Sequence, residues 1–366
     1  MAKSFVSIGL GSMGIAAAQC LIDHGWEARG AASHQVGEDL GTVLGRPING
    51  IRVAGQTQDV VDAGADLCVI ATRSAVSDIS EDIMLAVSAK MNVLSSSEEL
   101  VYPWPTAPAL AKKLDDAAKS AGVSILGAGI NPGFAMDMLP ILLTSVCRSV
   151  RAVEVHRAND LSPYGPSVLQ SFGVGLTVQE FESAWDAQQI AGHVGFAQSI
   201  MMMSDTLNLG VNRIEETMSP LLARSDRRGQ DWVVSSGCVA GIRQEARGYH
   251  DDELVVRLVH PQQVEPQADG EETQDVVRIF GDPDIELLIK PEIPGGIGTV
   301  ALMANSAAPL LAAAPGLLSS VDLPVIHSSN SGPRHPHGES ASVHIQPLKY
   351  VPDVDTKQTT LKGESK

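Results

Sequence analysis

The chain has 366 residues, a hydrophobic fraction of 44% and a formal net charge of −17 at pH 7. The length suits two domains, and the apolar share is enough for a real core. The acidic balance argues against nucleic acid and anionic membranes as partners, because both are held by an excess of Lys and Arg. Cys20, Cys68, Cys147 and Cys238 form no CxxC pair and no zinc-spaced cluster with His, so reduced, mostly buried thiols and no metal are expected. Met-Ala-Lys-Ser runs straight into a strand pattern without a signal-peptide profile, and the apolar stretch 299–318 is interrupted by Asn305, Pro309 and Pro315. A cytoplasmic protein is expected.

Residues 5–9 read as a buried strand and 13–23 as a helix closed by Gly25. Strand patterns return at 27–32, 66–71, 91–95 and 123–127, with helical patterns between them, notably at 78–90 and 106–120. This alternation predicts a parallel sheet with right-handed crossovers over residues 1–132. The character then changes: a helix is expected at 134–146, then strands at 150–157, 233–247, 254–260, 276–281 and 285–291. Their short Gly, Asp and Pro connections predict a mostly antiparallel sheet in an α+β domain spanning 133–298. The insert 159–225 reads as polar and helical, its Met201-Met202-Met203 run as helix core. A small-residue helix over 299–313 opens a segment, 299–327, expected to return to the first domain. Residues 328–366 read as a polar tail, partly disordered or wrapped on a partner subunit, with His335 and His337 in a solvated turn rather than on a metal.

Gly9-Leu10-Gly11-Ser12-Met13-Gly14 is a GxGxxG placed after a strand and before a helix. Gly9 permits the tight turn, Gly11 lets backbone approach a pyrophosphate, and Gly14 lets helix and strand pack closely. The helix N-terminus offers unpaired N–H groups to the phosphates. In this context the motif predicts an N-terminal Rossmann, doubly wound α/β domain binding a nicotinamide dinucleotide through Gly9, Gly11, Ser12, Met13 and Gly14. The second strand ordinarily ends in an acid that binds the ribose hydroxyls. Here Glu27 sits at the early end, the tip carries Ser33 and His34, and Arg29 is near, so nothing repels a 2′-phosphate. NADP is therefore the expected cofactor, with NAD also accepted. Ala71 and Thr72 after the third strand pattern, Asn131 and Asn305 are assigned to the same cofactor site.

Ser95-Ser96-Ser97-Glu98-Glu99-Leu100 follows a strand, where ligands of doubly wound sheets bind. Glu98 and Glu99 then lie near a nicotinamide, but Ser95 to Glu98 and Ser96 to Glu99 both have capping-box spacing, and spacing alone favours the cap. Tyr102-Pro103-Trp104-Pro105 is a rigid aromatic turn that either walls an apolar pocket or simply packs. In Gly127-Ala128-Gly129-Ile130-Asn131-Pro132-Gly133-Phe134, Asn131 reads as an N-cap with Pro132 at the first helical position, and Phe134 and Met136 as substrate neighbours. Asp160 and Tyr164 lie in a polar turn after a strand, and His193 is flanked by Gly192 and Gly195.

The segments GLGSMG (9–14), SSSEELVYPW (95–104), GAGINPGF (127–134), ANDLSPYGP (158–166), FGVGLT (172–177), AGHVGF (191–196) and PGLLSSVDLP (315–324) carry a resemblance to the 2,4-diaminopentanoate dehydrogenases and the native NAD(P)H-dependent amine dehydrogenases. More distantly, the architecture resembles dihydrodipicolinate reductase. The resemblance implies reversible oxidative deamination of an amine to a carbonyl compound plus ammonia, a homodimer, and a catalytic glutamate at Glu98 or Glu99. It places Tyr164 and His193 in the pocket wall; a diamine substrate would want a second anion there, for which Asp160 is the candidate, although Asp in a turn usually just caps backbone. The chain departs at the second strand tip, where relatives often carry Asp and this chain has Ala31-Ala32-Ser33-His34. A cyclic imine reductase is the alternative enzyme, disfavoured because no KKxPSGT-like basic segment follows residue 150. The other alternative is a cofactor-binding sensor without turnover, against which Glu98, Glu99, Tyr164 and His193 stand.

Overall fold

Five short strands in the first part of the chain are buried over almost their whole length, as a parallel sheet covered on both faces requires. They are β1 (Ser4–Ile8), β2 (Glu27–Ala32), β3 (Leu67–Ile70), β4 (Asn92–Ser95) and β5 (Ser124–Gly127). The computed structural model describes residues 2–328 except Asn49 and Asp231, so the tail, with His335 and His337, lies outside the described residues.

A second sheet is built from β6 (Ser149–Asp160), β7 (Arg213–Leu222), β10 (Val239–His250), β11 (Glu253–Gln263), β12 (Gln274–Asp282) and β13 (Ile285–Ile289), with a small ribbon of β8 (Arg227–Arg228) and β9 (Val233–Val234) beside it. Its order is β13-β12-β6-β11-β10-β7. β6 runs parallel to β11, and every other junction is antiparallel. A last strand, β14 (Gly316–Leu318), rejoins the first sheet beside β5, giving the all-parallel order β14-β5-β4-β3-β1-β2. The expected fold class, a doubly wound sheet plus a mostly antiparallel one, is borne out.

The first sheet is sandwiched. The Val76–Ser88 and Pro108–Ala121 helices place Ile79, Ile83, Ala111 and Leu114 against Val6, Ile70, Val93 and Ile125. On the other face the Ser12–Asp23 and Gly295–Ala312 helices place Ala18, Leu21, Met303 and Leu310 against Phe5, Val69, Leu94 and Leu126. The Gly295–Ala312 helix is long and apolar enough to cross a membrane by composition, but its apolar residues Met303, Ala304, Ala307 and Leu310 are buried in this core. In the second sheet, Val153, Val155, Val256, Leu258 and Val277 face Phe196, Ile200 and Met203 of the Phe196–Leu207 helix.

Four local expectations differ from the structure. β7 lies inside the stretch read as polar and helical. It is an edge strand, mostly exposed, carrying Arg213, Glu215, Glu216 and Pro220, which are edge-protecting residues that erase an alternating apolar signal. The strand expected at 233–247 is two, β9 and β10, separated by a turn at Gly237. The helix expected from residue 134 starts at Met138, capped by Asp137 rather than Asn131. Of the four thiols only Cys68 is buried; Cys20, Cys147 and Cys238 are partly exposed, at a helix flank and in two turns.

Candidate active site

Chain order in the first sheet reverses at β1, whose neighbours are β2 and β3. The crevice this opens beyond the strands' carboxyl ends is where such sheets bind ligands. The glycine turn sits at its floor. Gly9 has φ +88° and a Cβ there would lie 2.6 Å from the Ala71 carbonyl oxygen. A Cβ on Gly14 would overlap the Gly9 carbonyl oxygen, so helix and strand meet backbone to backbone. Around Gly11 there is open space. The turn is therefore tight underneath and open above, which fits a pyrophosphate laid on the helix N-terminus. Ser33 closes its side: the Ser33 hydroxyl accepts from Leu10 N at 3.3 Å and donates to Gln35 Oε1 at 3.1 Å. His34 lies next to it, its Nδ1 3.4 Å from the Ser33 hydroxyl.

From this floor a cleft of about 530 Å3 runs between the two sheets. Met13, Ala71, Thr72, Glu98 and Asn131 line the cofactor side, and Tyr164 and His193 the far side. Glu98 and Glu99 part company here. Both Glu99 oxygens are engaged: one accepts from Val76 N at 2.7 Å, capping the Val76–Ser88 helix, and the other from the Thr106 hydroxyl at 2.8 Å. Glu98 faces the cleft, and its carboxylate has no hydrogen-bond or ion-pair partner among the described residues. The peptide between them is held because Glu99 N donates to the Ser74 carbonyl at 3.1 Å, while the Ser97 hydroxyl donates to the same oxygen at 2.6 Å.

The far wall comes from the one parallel junction of the second sheet. β6 and β11 run side by side in the same direction, so both end at the cleft. Their inward positions change from apolar to polar at that end: Val153 and Val155 give way to Arg157 and Asn159, and Val256 and Leu258 to His260 and Gln262. Arg157 is fully buried; its guanidinium donates to Asp275 at 2.5 Å and to the Ile293 carbonyl at 2.7 Å. His260 Nδ1 lies 3.2 Å from Asn131 Nδ2, and its Nε2 2.7 Å from Asn159 Oδ1. An amide nitrogen can only donate, so the network assigns the proton of a neutral His260 to Nε2. His193 stacks beside it with ring centroids 5.2 Å apart. The Nε2 atoms of His193 and of Gln262 are buried without a partner. Arg157, Asn159, His260 and Gln262 were not singled out from sequence. The available signal was polar residues at the inward, every-other positions of two buried strands.

Other expected site residues sit elsewhere. Tyr102 donates to Asp205 at 2.7 Å and stacks on Trp104, which packs on the first core, so the aromatic turn packs rather than walls the cleft. Met136 is wholly buried and Phe134 packs with it in the second core, because Asp137 ties the turn by accepting from Gly133 N and Met138 N. Asp160 caps its own turn, accepting from Ser162 and Glu265 N. Arg29 donates to the Gly64 carbonyl at 2.7 Å, well back along β2 from the tip. Asn305 lies on the helix covering the first sheet, its Oδ1 buried and unpartnered.

Burial holds the His193 pKa down to about 4, helped by the Arg157 charge, and pushes His260 well below its usual range, helped by His193 and Arg157. Both are neutral in the folded chain, whereas an unfolded His takes up a proton near pH 6.5. The unfolded state therefore binds more protons below that pH, and stability is lost as pH falls from about 6.5 towards 4. Asp137, pushed up by burial, works in the opposite direction. The urea midpoint should drop between pH 7.5 and 5, and the drop should shrink in His260→Gln. An equal drop in that variant would mean His260 is not the source.

Residues 134–336 match the 2,4-diaminopentanoate dehydrogenase C-terminal domain family. Over 329 residues the chain is 39% identical to 2,4-diaminopentanoate dehydrogenase of Acetoanaerobium sticklandii, covering 87% of this chain and 93% of that protein. It is 27% identical over 270 residues to an amine dehydrogenase of Streptomyces virginiae, covering 67% and 72% of the two chains. The solved amine dehydrogenase of Mycobacterium smegmatis superposes with a TM-score of 0.78 at 26% identity, over 89% of this chain and 97% of that one. With the glycine turn, the cleft and these likenesses in agreement, the chain belongs to the 2,4-diaminopentanoate dehydrogenase family of NAD(P)-dependent oxidoreductases acting on amines.

Proposed function

We propose that Glu98 is the carboxylate this amine dehydrogenase sets against the reacting nitrogen as an amine and a carbonyl compound plus ammonia interconvert. The observation that carries the reading is its unpartnered carboxylate in the cleft, next to a glutamate that is tied on both oxygens. Gly9, Gly11, Ser12, Met13 and Gly14 would hold the dinucleotide's pyrophosphate, with Ala71, Thr72 and Asn131 along its length. When bound, the nicotinamide supplies hydride to the carbon attached to nitrogen, or takes it away. The negative charge of Glu98 favours a protonated, cationic imine at that carbon over its neutral form. The same carboxylate receives a proton as ammonia adds to the carbonyl and returns it to the hydroxyl leaving as water. Among the described residues, the buried far-wall atoms without a hydrogen-bond partner include the Gln262 amide nitrogen and His193 Nε2. A donor there suits a substrate acceptor such as a carboxylate. Asp160 Oδ1 is tied into its own turn, and among the described residues lining the cleft Glu98 is the one carboxylate, so a second ammonium has no anion of its own there.

The test is consumption of reduced cofactor with a panel of carbonyl compounds, with and without ammonium. Turnover that does not need ammonium would sink the reading. The same assay addresses cofactor choice. The β2 tip offers Ser33 and His34 and no acid, so NADPH should serve at least as well as NADH. Ser33→Asp should penalise NADPH selectively by repelling the 2′-phosphate; a wild-type chain that strongly prefers NADH would contradict this.

The same reading includes a cytoplasmic homodimer joined through the second sheet. Across β10, β11, β6 and β12, the face turned away from the helices carries a ladder in which Arg257 bridges Glu245 and Glu154, and Arg278 also donates to Glu154. Light scattering at micromolar concentration should give twice the chain mass, and a monomeric mass refutes it.

A further inference from the structure

Three walls of the cleft converge on the first turn of one helix, Phe196–Leu207, and three of its side chains, Phe196, Gln198 and Ser199, reach them without lining the cleft themselves. Phe196 packs edge-on against His193 and His260, with centroids 5.4 and 6.3 Å away. Gln198 is 3% exposed; its amide nitrogen donates to the Thr106 hydroxyl at 3.0 Å, which donates in turn to Glu99. Ser199 is 1% exposed; its hydroxyl donates at 2.7 Å to Asp137, a carboxylate with no exposure at all. Asp137 accepts from Gly133 N, two residues beyond Asn131, and Asn131 meets His260.

We propose that Gln198 and Ser199 are positioning residues for the reaction. Gln198 acts through Thr106 and Glu99 on Glu98, and Ser199 acts through Asp137 on Asn131 and His260. The physical reason is that the cleft is formed between two sheets, so the distance from Glu98 to the His193 wall is not set by either sheet alone. The helix that follows His193 grips the first-sheet loop at Thr106 and, seven residues further along the same helical face, at Tyr102 through Asp205. Neighbouring positions on one rigid turn thereby fix the carboxylate that handles the proton and the wall that receives the rest of the substrate. Small misplacements of such groups are expensive, with about 1 Å costing up to roughly 100-fold in rate.

The two relays predict different kinetic signatures. Gln198→Leu keeps the volume and removes the donor. It should lower kcat for reductive amination by about 10-fold while KM for the carbonyl compound and the Kd of NADPH stay within about twofold. Thr106→Val should reproduce this, Thr106→Ser should be near wild type, and Gln198→Leu combined with Thr106→Val should be no worse than either, because both cut one relay. Ser199→Ala should instead raise KM by about 10-fold with kcat within about threefold, and Ser199→Thr, which keeps the hydroxyl, should not. Assays are run at a temperature where circular dichroism shows each variant native; if Ser199→Ala does not fold, the Gln198 and Thr106 variants decide. A role confined to packing lowers the melting temperature and leaves kcat and KM unchanged; that result overturns the inference, as does additivity of the Gln198 and Thr106 changes. The inference rests on the Glu98 reading, so Glu98→Gln is measured beside them. If that variant stays active, the Glu98 reading fails. If it is inactive while Gln198→Leu is not slowed, only the positioning role fails.

Discussion

Glu98→Gln should slow reductive amination by about 100- to 10,000-fold, the usual contribution of a positioned acid–base group, while NADPH binds with near wild-type affinity. Glutamine keeps the shape and one accepting oxygen and removes the charge, which is the property the cationic imine requires. The neighbouring change, Glu99→Gln, should behave differently. Its remaining carbonyl oxygen still accepts from Val76 N, and the introduced amide can donate to the Thr106 hydroxyl, which also keeps its bond from Gln198. That variant should lose about 1 kcal/mol or less of stability, the order of a weakened cap, and retain most of its rate. Steady-state rates at saturating ammonium and a cofactor titration by fluorescence check both. Were Glu98→Gln nearly fully active, the carboxylate mechanism would be wrong, and His193 would be the next group to test.

The largest expected effect on stability comes from Arg157→Met. Arg157 and Asp275 have side chains only 2% and 1% exposed, and breaking a buried ion pair from one side leaves an uncompensated charge, at a cost of about 3–5 kcal/mol. Asp275 also accepts from Ile293 N and Arg157 donates to the Ile293 carbonyl, so the pair pins the segment leading into Gly295. Gly295 lies directly under the Tyr164 hydroxyl, where a Cβ would collide with it. Chemical denaturation should therefore show the stability loss, and the substrate KM should rise as this wall loosens. The double change Arg157→Met with Asp275→Leu should recover much of the stability, because the orphaned charge is gone, without recovering the KM. A stability loss under about 1 kcal/mol in the single variant would show that the pair is not sealed from water.

What the sequence determined by itself is local. The glycine turn, its strand before and its helix after are adjacent in the chain, so the spacing of Gly9, Gly11 and Gly14 carries the whole geometric requirement, and the buried runs of β1 to β5 announce a parallel sheet. The resemblance of the 95–104 and 191–196 segments likewise placed Glu98 or Glu99 and His193 near one another. What only the tertiary structure decided is which of two adjacent glutamates is free. That depends on Val76 and Thr106, which lie 23 and 7 residues away from Glu99 and each occupy one of its oxygens. The wall of Arg157, Asn159, His260 and Gln262 was hidden for the same reason. Its residues come from two strands about a hundred positions apart, and they meet only because β6 and β11 pair in parallel and end together. Tyr102, Met136 and Asp160 have the right chemistry for a pocket, but Asp205, the second core and the 160–165 turn hold them elsewhere. Side-chain type is written in the sequence; its direction is set by whichever partner, near or distant, satisfies it at the lowest free energy.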